Sequence, residues 1–230
     1  MRLLSLLEAR VLGVLVEKAR AVPDSYPLSL NSLLLGCNQK TARDPVIAAT
    51  EPELQLALDG LKSLHLAFEA SGSRVTRYEH NAGRALALPS QSVALLAVLV
   101  LRGPQTASEL RANCDRLHRF ADLSAVEGFL EELAARAVDK GGPLALRVAR
   151  APGSREARWT HLLCGVPEPG AAVLAGTTSD RGDFLPVSEL AALKANHAAL
   201  QTELDRLKLE GADLRARVDR LFRELGVARD

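Results

Sequence analysis

The stretch GSRVTRYEH, residues 72–80, returns as GSREARWTH, residues 153–161, 81 positions further along the chain. Both copies read G-S-R-x-x-R-aromatic-x-His. The Gly-Ser head marks a hairpin turn, and the residues behind it alternate as a strand does. In the first copy, the period of two puts Thr76, Tyr78 and His80 on one face and Val75, Arg77 and Glu79 on the other. Tyr78 and Trp159 are expected to pack each hairpin onto helices, with His80 and His161 partly buried beside them. Arg77 and Arg158 fall on the opposite face, which is expected to be solvated.

Outward from each copy, the preceding elements repeat as well. Ser5 with Glu8, Thr50 with Glu53, Thr106 with Glu109 and Ser124 with Glu127 all have the S/T-x-x-E spacing of a helix start. The first helix is predicted over 6–19, with Leu7, Val11, Val14 and Leu15 at helical spacing. A short second helix follows over 30–36. A third covers 52–64, opens on Pro52 and buries Leu54, Leu58 and Leu61. HLAFEA (65–70) and VTRYEH (75–80) complete the hairpin. The apolar pattern of VLGVLVEK (11–18) then recurs as LLAVLVLR (95–102). TASELRANC (106–114), SAVEGFLEELAAR (124–136), LALRVAR (144–150) and EARWTHLL (156–163) repeat the remaining elements. Three helices and a hairpin, in that order, make a winged helix. The expected fold class is therefore mainly α with small β-hairpins (α+β), with tandem winged-helix domains over 1–84 and 85–165.

A Gly- and Pro-rich linker over 166–184 leads into a regular segment over 185–228. Leu193, Leu200, Leu207, Leu214 and Leu221 recur every seven residues, and Leu190, His197, Leu204, Gly211, Val218 and Leu225 fill the alternate seam. In a parallel homodimer Glu203 would face Lys208 and Glu210 would face Arg215. His197 and Gly211 weaken the seam, and the other reading is one amphipathic helix folded back onto the body.

Of the 230 residues, 29 are basic, 28 acidic and 47% hydrophobic, the balance of a soluble globular chain with no global field to attract nucleic acid. Glu8 and Arg10 break the apolar N-terminal stretch, and the longest apolar run, 93–101, is far short of the roughly 20 residues needed to span a bilayer. No membrane association and a cytoplasmic location are expected. Cys37, Cys114 and Cys164 form no CxxC pair, which argues against a disulfide framework. Cys114 and His118 lie one turn apart, but two ligands do not close a zinc site, so neither metal nor cofactor is expected. No phosphate-cradling glycine loop, GxSxG or HExxH is present, so no catalytic residue is assigned and an enzyme is not expected.

The stretch YPLSLNSLLLGCNQKTARDPV, residues 26–46, carries Cys-Asn-Gln-Lys-Thr followed by Arg-Asp-Pro. Together with RAPGSREARWTHLL at 150–163, it resembles the YceH-like family of uncharacterised bacterial proteins, the likeness running over 4–164. The resemblance implies tandem winged helices and brings no activity. Ala42 departs from it, standing where Asn or Ser is expected.

In that motif Asn38, Gln39, Lys40, Thr41 and Arg43 offer donors suited to phosphates or to a partner's carbonyls. The other reading is structural: Asn38 caps the second helix, while Arg43 and Asp44 lock the loop before Pro45. Two functions compete. The first is regulatory double-stranded DNA binding, with basic wings (Arg74, Arg77, Arg147, Arg150, Arg155 and Arg158) on the phosphate backbone. Against it stand Glu51, Glu53 and Asp59 on one third helix and Glu127, Glu131 and Glu132 on the other, beside which phosphates are repelled. The second is a scaffold that grips another protein through the paired winged helices.

The heptads generate a direct expectation. Sedimentation velocity at micromolar concentration should find a dimer, and Leu200→Asp with Leu207→Asp should yield a folded monomer. An intact chain that sediments as a monomer would remove the coiled-coil dimer.

Overall fold

The computed structural model describes residues 2–70, 75–148 and 156–166. The chain divides into two units, Met1–Thr178 and Ser179–Asp230, and every described residue lies in the first. The predicted linker beyond residue 166 and the heptad helix, with Leu190, Leu193, Leu200, Leu204, Leu207, Leu214, Val218, Leu221 and Leu225, lie outside the described residues.

Helix α1 (Leu6–Ala21) opens on the predicted capping box: the Ser5 hydroxyl accepts from the Glu8 amide, and the Glu8 carboxylate accepts from the Ser5 amide. A single 3-10 turn, Pro23–Ser25, leads to a two-residue strand, β1 (Leu28–Ser29), and Ser29 caps α2 (Leu30–Cys37). At α3 (Glu51–Ser63) the Thr50 amide and hydroxyl both donate to the Glu53 carboxylate. Strands β2 (Ala67–Ala70) and β3 (Arg77–His80) close the first half.

The second half follows with α4 (Ala82–Ala85), α5 (Ser90–Arg102), α6 (Ala107–Cys114), α7 (Leu123–Ala134), β4 (Ala145–Val148) and β5 (Arg158–His161). Thr106 and Glu109 form their box as predicted. The box expected at Ser124 and Glu127 does not form. Asp122 caps α7 instead: its carboxylate accepts from the Ala125 amide and also takes the Ser124 hydroxyl, both at 2.8 Å. A carboxylate two residues upstream offers a stronger acceptor than the serine, so the helix starts earlier.

The described residues are thus helices with small antiparallel sheets, as the α+β reading expects. The first sheet runs β1-β3-β2, with Leu28 opposite Tyr78 and Ala67 opposite His80. In the second, β4 pairs with β5, Ala145 lies opposite His161, and Gln105 makes an isolated bridge to Trp159. That bridge stands where β1 stands in the first half. Strand β1 leaves no signal in the sequence, because two residues are too few to show alternation.

One core serves both halves. Nine consecutive residues of α1, Glu8 to Val16, are buried, and so are ten of α5, Ser92 to Leu101. A helix buried around its whole circumference must be covered on every side. Here α1 and α5 pack on each other, α2 and α3 cover the rest of α1, and α6, α7 and β5 cover the rest of α5. Leu15, Leu54 and Leu58 join Leu99, Leu110 and Leu130 in a single apolar cluster. Backbone bonds cross between the halves: the Leu4 amide donates to the Leu163 carbonyl and the Asp44 amide to the Leu101 carbonyl, each at 2.8 Å. Among the described residues, no helix is long and apolar enough to cross a membrane.

The close approach of α2 to α1 rests on Gly36, where an added Cβ would lie 2.7 Å from Val14 Cγ1. Gly128, on the exposed side of α7, has nothing within 4 Å of such an atom. Gly36→Ala should therefore cost about 1–3 kcal/mol through overpacking. Gly128→Ala should stabilise the chain by about 0.5–1 kcal/mol through helix propensity. Urea unfolding of both variants checks the opposite signs.

Candidate functional site

The repeated frame does one structural job twice. Arg77 Nη1 donates to the Pro27 carbonyl at 2.8 Å, and Arg158 Nη1 donates to the Pro104 carbonyl at 2.8 Å. Each proline lies two residues before the cap of a second helix, Ser29 in α2 and Thr106 in α6. The two arginines therefore tie the returning strand to the chain entering that helix. Arg158 also reaches Glu109 at 3.4 Å. Both are half-buried rather than fully solvated, because each satisfies a carbonyl that the short sheet leaves open. Tyr78 and Trp159 are buried as expected. Arg147 is exposed, with its Cζ 6.0 Å from the Trp159 ring centroid. Arg74, Arg150 and Arg155 lie outside the described residues.

The polar loop between α2 and α3 divides into buried and open groups. Asn38 ends α2 and clamps the far side of the loop: its Nδ2 donates to the Ala49 carbonyl and its Oδ1 accepts from the Ala49 amide, both at 2.8 Å. Arg43 is buried and forms a two-pronged pair with Glu17, at 2.6 and 3.2 Å, while its Nε donates to the Gly36 carbonyl. Gln39 Nε2 donates to the Thr41 carbonyl and hydroxyl. Lys40 is exposed, and no hydrogen bond or ion pair holds it among the described residues. Ala42 has φ 57°, the left-handed region that Asn tolerates better than Ala, which accounts for the residue type expected there.

Two further charged residues, Arg10 and Glu17, complete this network. Arg10, on α1, donates from Nη2 to the Pro45 carbonyl at 2.6 Å and from Nη1 to the Cys37 carbonyl at 3.4 Å. Burial, then the charge of Arg43, lower its guanidinium below the ordinary value. Arg10 and Glu17 stand seven residues apart, two turns along one face of α1, with the apolar run Val11–Val16 between them, and that spacing was the available signal. Burial pushes the nearby Cys37 thiol up to about 12.

Two cavities are each lined by a histidine of the repeated frame. One of about 400 Å³ is lined by Arg10, Asp44, Glu53, His161 and Cys164. The other, of about 360 Å³, is lined by Arg20, His80, Arg84 and Ser90. Both His80 Nδ1 and His161 Nδ1 are buried without a hydrogen-bond partner. Burial lowers His161 to about 4, and burial followed by Arg20 lowers His80. Cys114 is buried too, its thiol pushed up to about 12, while the neighbouring His118 ring meets Phe120 edge-on. Among the described residues, no group of three His, Cys, Asp or Glu side chains is placed to hold a metal.

The loop makes a contrast that unfolding can read. Arg43→Ala removes the two bonds to Glu17 and the bond to the Gly36 carbonyl, leaving Glu17 only Lys18 at 3.5 Å, and should cost about 1.5–3 kcal/mol. Lys40→Ala should change stability by less than about 0.5 kcal/mol. Equal effects in thermal or urea unfolding would refute the division of the loop into an interior lock and a free tip.

Comparison with other proteins agrees with the extent of the motifs. Residues 4–154 match the family described as "Protein of unknown function, DUF480". A UPF0502 protein of Leptothrix cholodnii is 56% identical over 223 residues, covering 97% of this chain and 96% of its own. A UPF0502 protein of Methylibium petroleiphilum is 60% identical over 204 residues, covering 89% and 85%. One of Burkholderia vietnamiensis is 56% identical over 228 residues, covering 99% and 91%. With these matches spanning the shared core and the repeated frame alike, the chain belongs to the DUF480/UPF0502 family of uncharacterised bacterial proteins.

Proposed function

We propose that the protein is a non-enzymatic interaction module: two winged-helix units on one core, whose third helices meet a basic surface of a partner protein. The supporting observation is the charge of those helices. On α3, Glu51, Glu53 and Asp59 are exposed, and its one cation, Lys62, is held by Asp59 at 2.9 Å and Glu69 at 2.6 Å. On α7, Glu127, Glu131 and Glu132 are exposed, and the helix contains no Lys or Arg. Duplex DNA presents about one negative charge per 1.7 Å of its axis, so neither helix carries a free cation to meet it. Leu56, 73% exposed in the middle of α3, supplies an apolar anchor of the kind protein interfaces use.

The DNA reading retains Arg147, which is exposed, while Arg74, Arg150 and Arg155 lie outside the described residues. Arg77 and Arg158, already bound to the proline carbonyls, support it less. In the scaffold reading, the heptad segment sets two such modules side by side as a homodimer in the cytoplasm.

Fluorescence anisotropy with a labelled duplex separates the two. At 150 mM salt the native protein should show no binding tighter than about 10⁻⁴ M, the weak end of non-specific affinities. Glu127→Lys with Glu131→Lys and Glu132→Lys should gain duplex affinity by about tenfold or more, because the repulsion becomes attraction. Micromolar binding by the native chain, with a log–log salt slope near −3.6 for four phosphate contacts at about −0.9 each, would overturn the scaffold reading.

A further inference from the structure

The two cavities occupy corresponding places in the repeat, yet their charges differ. The cavity beside His161 has Arg10 opposed by Asp44 and Glu53, so an anion entering it meets two carboxylates. The cavity beside His80 has Arg20 from α1 and Arg84 from α4, and no carboxylate lines it among the described residues. Arg20 and Arg84 are exposed, and no ion pair holds either of them among the described residues. Ser90, the first residue of α5, lies in the same wall. The residue before it is Pro89, which supplies no side-chain cap, and the first turn of α5 carries no acid. The leading amides of this 13-residue helix are therefore not answered by a capping side chain. His80 lines the same wall, and its Nδ1 is buried without a hydrogen-bond partner. Val16, Val93 and Leu117 give the remaining wall an apolar character.

We propose that this cavity, between α1, β3, α4 and the start of α5, binds a small organic acid. Its carboxylate or phosphate group sits between Arg20, Arg84 and the α5 amides, and its apolar body lies against Val16 and Leu117. The volume of about 360 Å³ falls within the usual range of about 300–1,000 Å³ for small-molecule sites. Two guanidinium groups in the wall of one cavity, with a helix N-terminus beside them, can each give an anion charge-assisted bonds. The ligand bridges elements of both halves of the core, so its occupancy couples the first hairpin to α5. The site lies apart from the acidic faces of α3 and α7, and its existence does not depend on what those faces bind.

The test uses four probes on the full-length chain: phenyl phosphate, benzoate, inorganic phosphate and benzyl alcohol, each followed by the His80 ring resonances in NMR titrations. Phenyl phosphate and benzoate should saturate and shift the His80 signals below about 20 mM. Inorganic phosphate should bind at least about tenfold more weakly than phenyl phosphate, having no apolar body to bury, and benzyl alcohol should not saturate. Arg20→Gln with Arg84→Gln should lower the affinity for phenyl phosphate by about tenfold or more while leaving the melting temperature unchanged, since both side chains are exposed. Benzyl alcohol binding as well as phenyl phosphate would overturn the proposal. So would unchanged affinity in the double variant, or saturation that leaves His80 unshifted.

Discussion

Two helices buried around their circumference along most of their length organise the described unit. Along α1 and α5, stretches of nine and ten consecutive residues are buried, so neither helix has a face to offer solvent. Each half covers only part of its own central helix, and the other half covers the remainder. At roughly 25 cal/mol per Å² of apolar surface, leaving the mutual face of either helix uncovered would cost several kcal/mol, comparable to the net stability of a domain. The backbone bonds Leu4 to Leu163 and Asp44 to Leu101 are made across this joint. The repeated sequence therefore does not produce two beads on a string within the described residues. Two copies of one pattern close a single core.

Much of this was legible in the chain. The capping boxes at Ser5, Thr50 and Thr106 located three helix starts, because a hydroxyl and a carboxylate three residues apart act locally and need no tertiary partner. The repeated frame located β3 and β5 and the burial of Tyr78 and Trp159. What escaped depended on long-range partners. Arg77 and Arg158 read as surface cations, yet each finds a carbonyl at least 50 residues away, which periodicity does not encode. Arg43 read either as a loop donor or as a lock on the loop, and the partner that locks it, the half-buried Glu17, lies 26 residues upstream. Of the site proposed for an organic acid, only His80 was visible as part of a motif. Arg20 and Arg84 carry no pattern, and come to the wall of one cavity only in the folded chain.

The interior charges bear on how specific the packing is. The Arg43–Glu17 pair, with Arg43 buried and Glu17 partly so, is weak evidence for stability, because desolvation offsets much of the Coulombic gain. Its geometry is demanding, however. Two guanidinium nitrogens face two carboxylate oxygens, and Nε takes the carbonyl of Gly36, the residue at which α2 crosses α1. Arg10 adds bonds to Cys37 and Pro45 on either side. A shift of α2 along α1 by one turn would leave these groups buried and unpaired. Apolar side chains alone, being interchangeable in shape, would resist such a slip less strongly.

The shared core also has a consequence for synthesis. Helix α1 ends at Ala21 and α5 at Arg102, so roughly 80 residues separate the emergence of one central helix from that of the helix that covers it. At about 5–20 residues per second, the first half waits roughly 4–16 seconds with the apolar flank of α1 exposed before α5 is available to cover it. The nascent chain is therefore at its most adhesive midway through its own translation. During that interval α5 of a neighbouring nascent chain, made on the same message, is chemically indistinguishable from its own. The architecture thus holds open a route to exchanging halves between copies, and the speed of translation between the two helices decides how often it is taken.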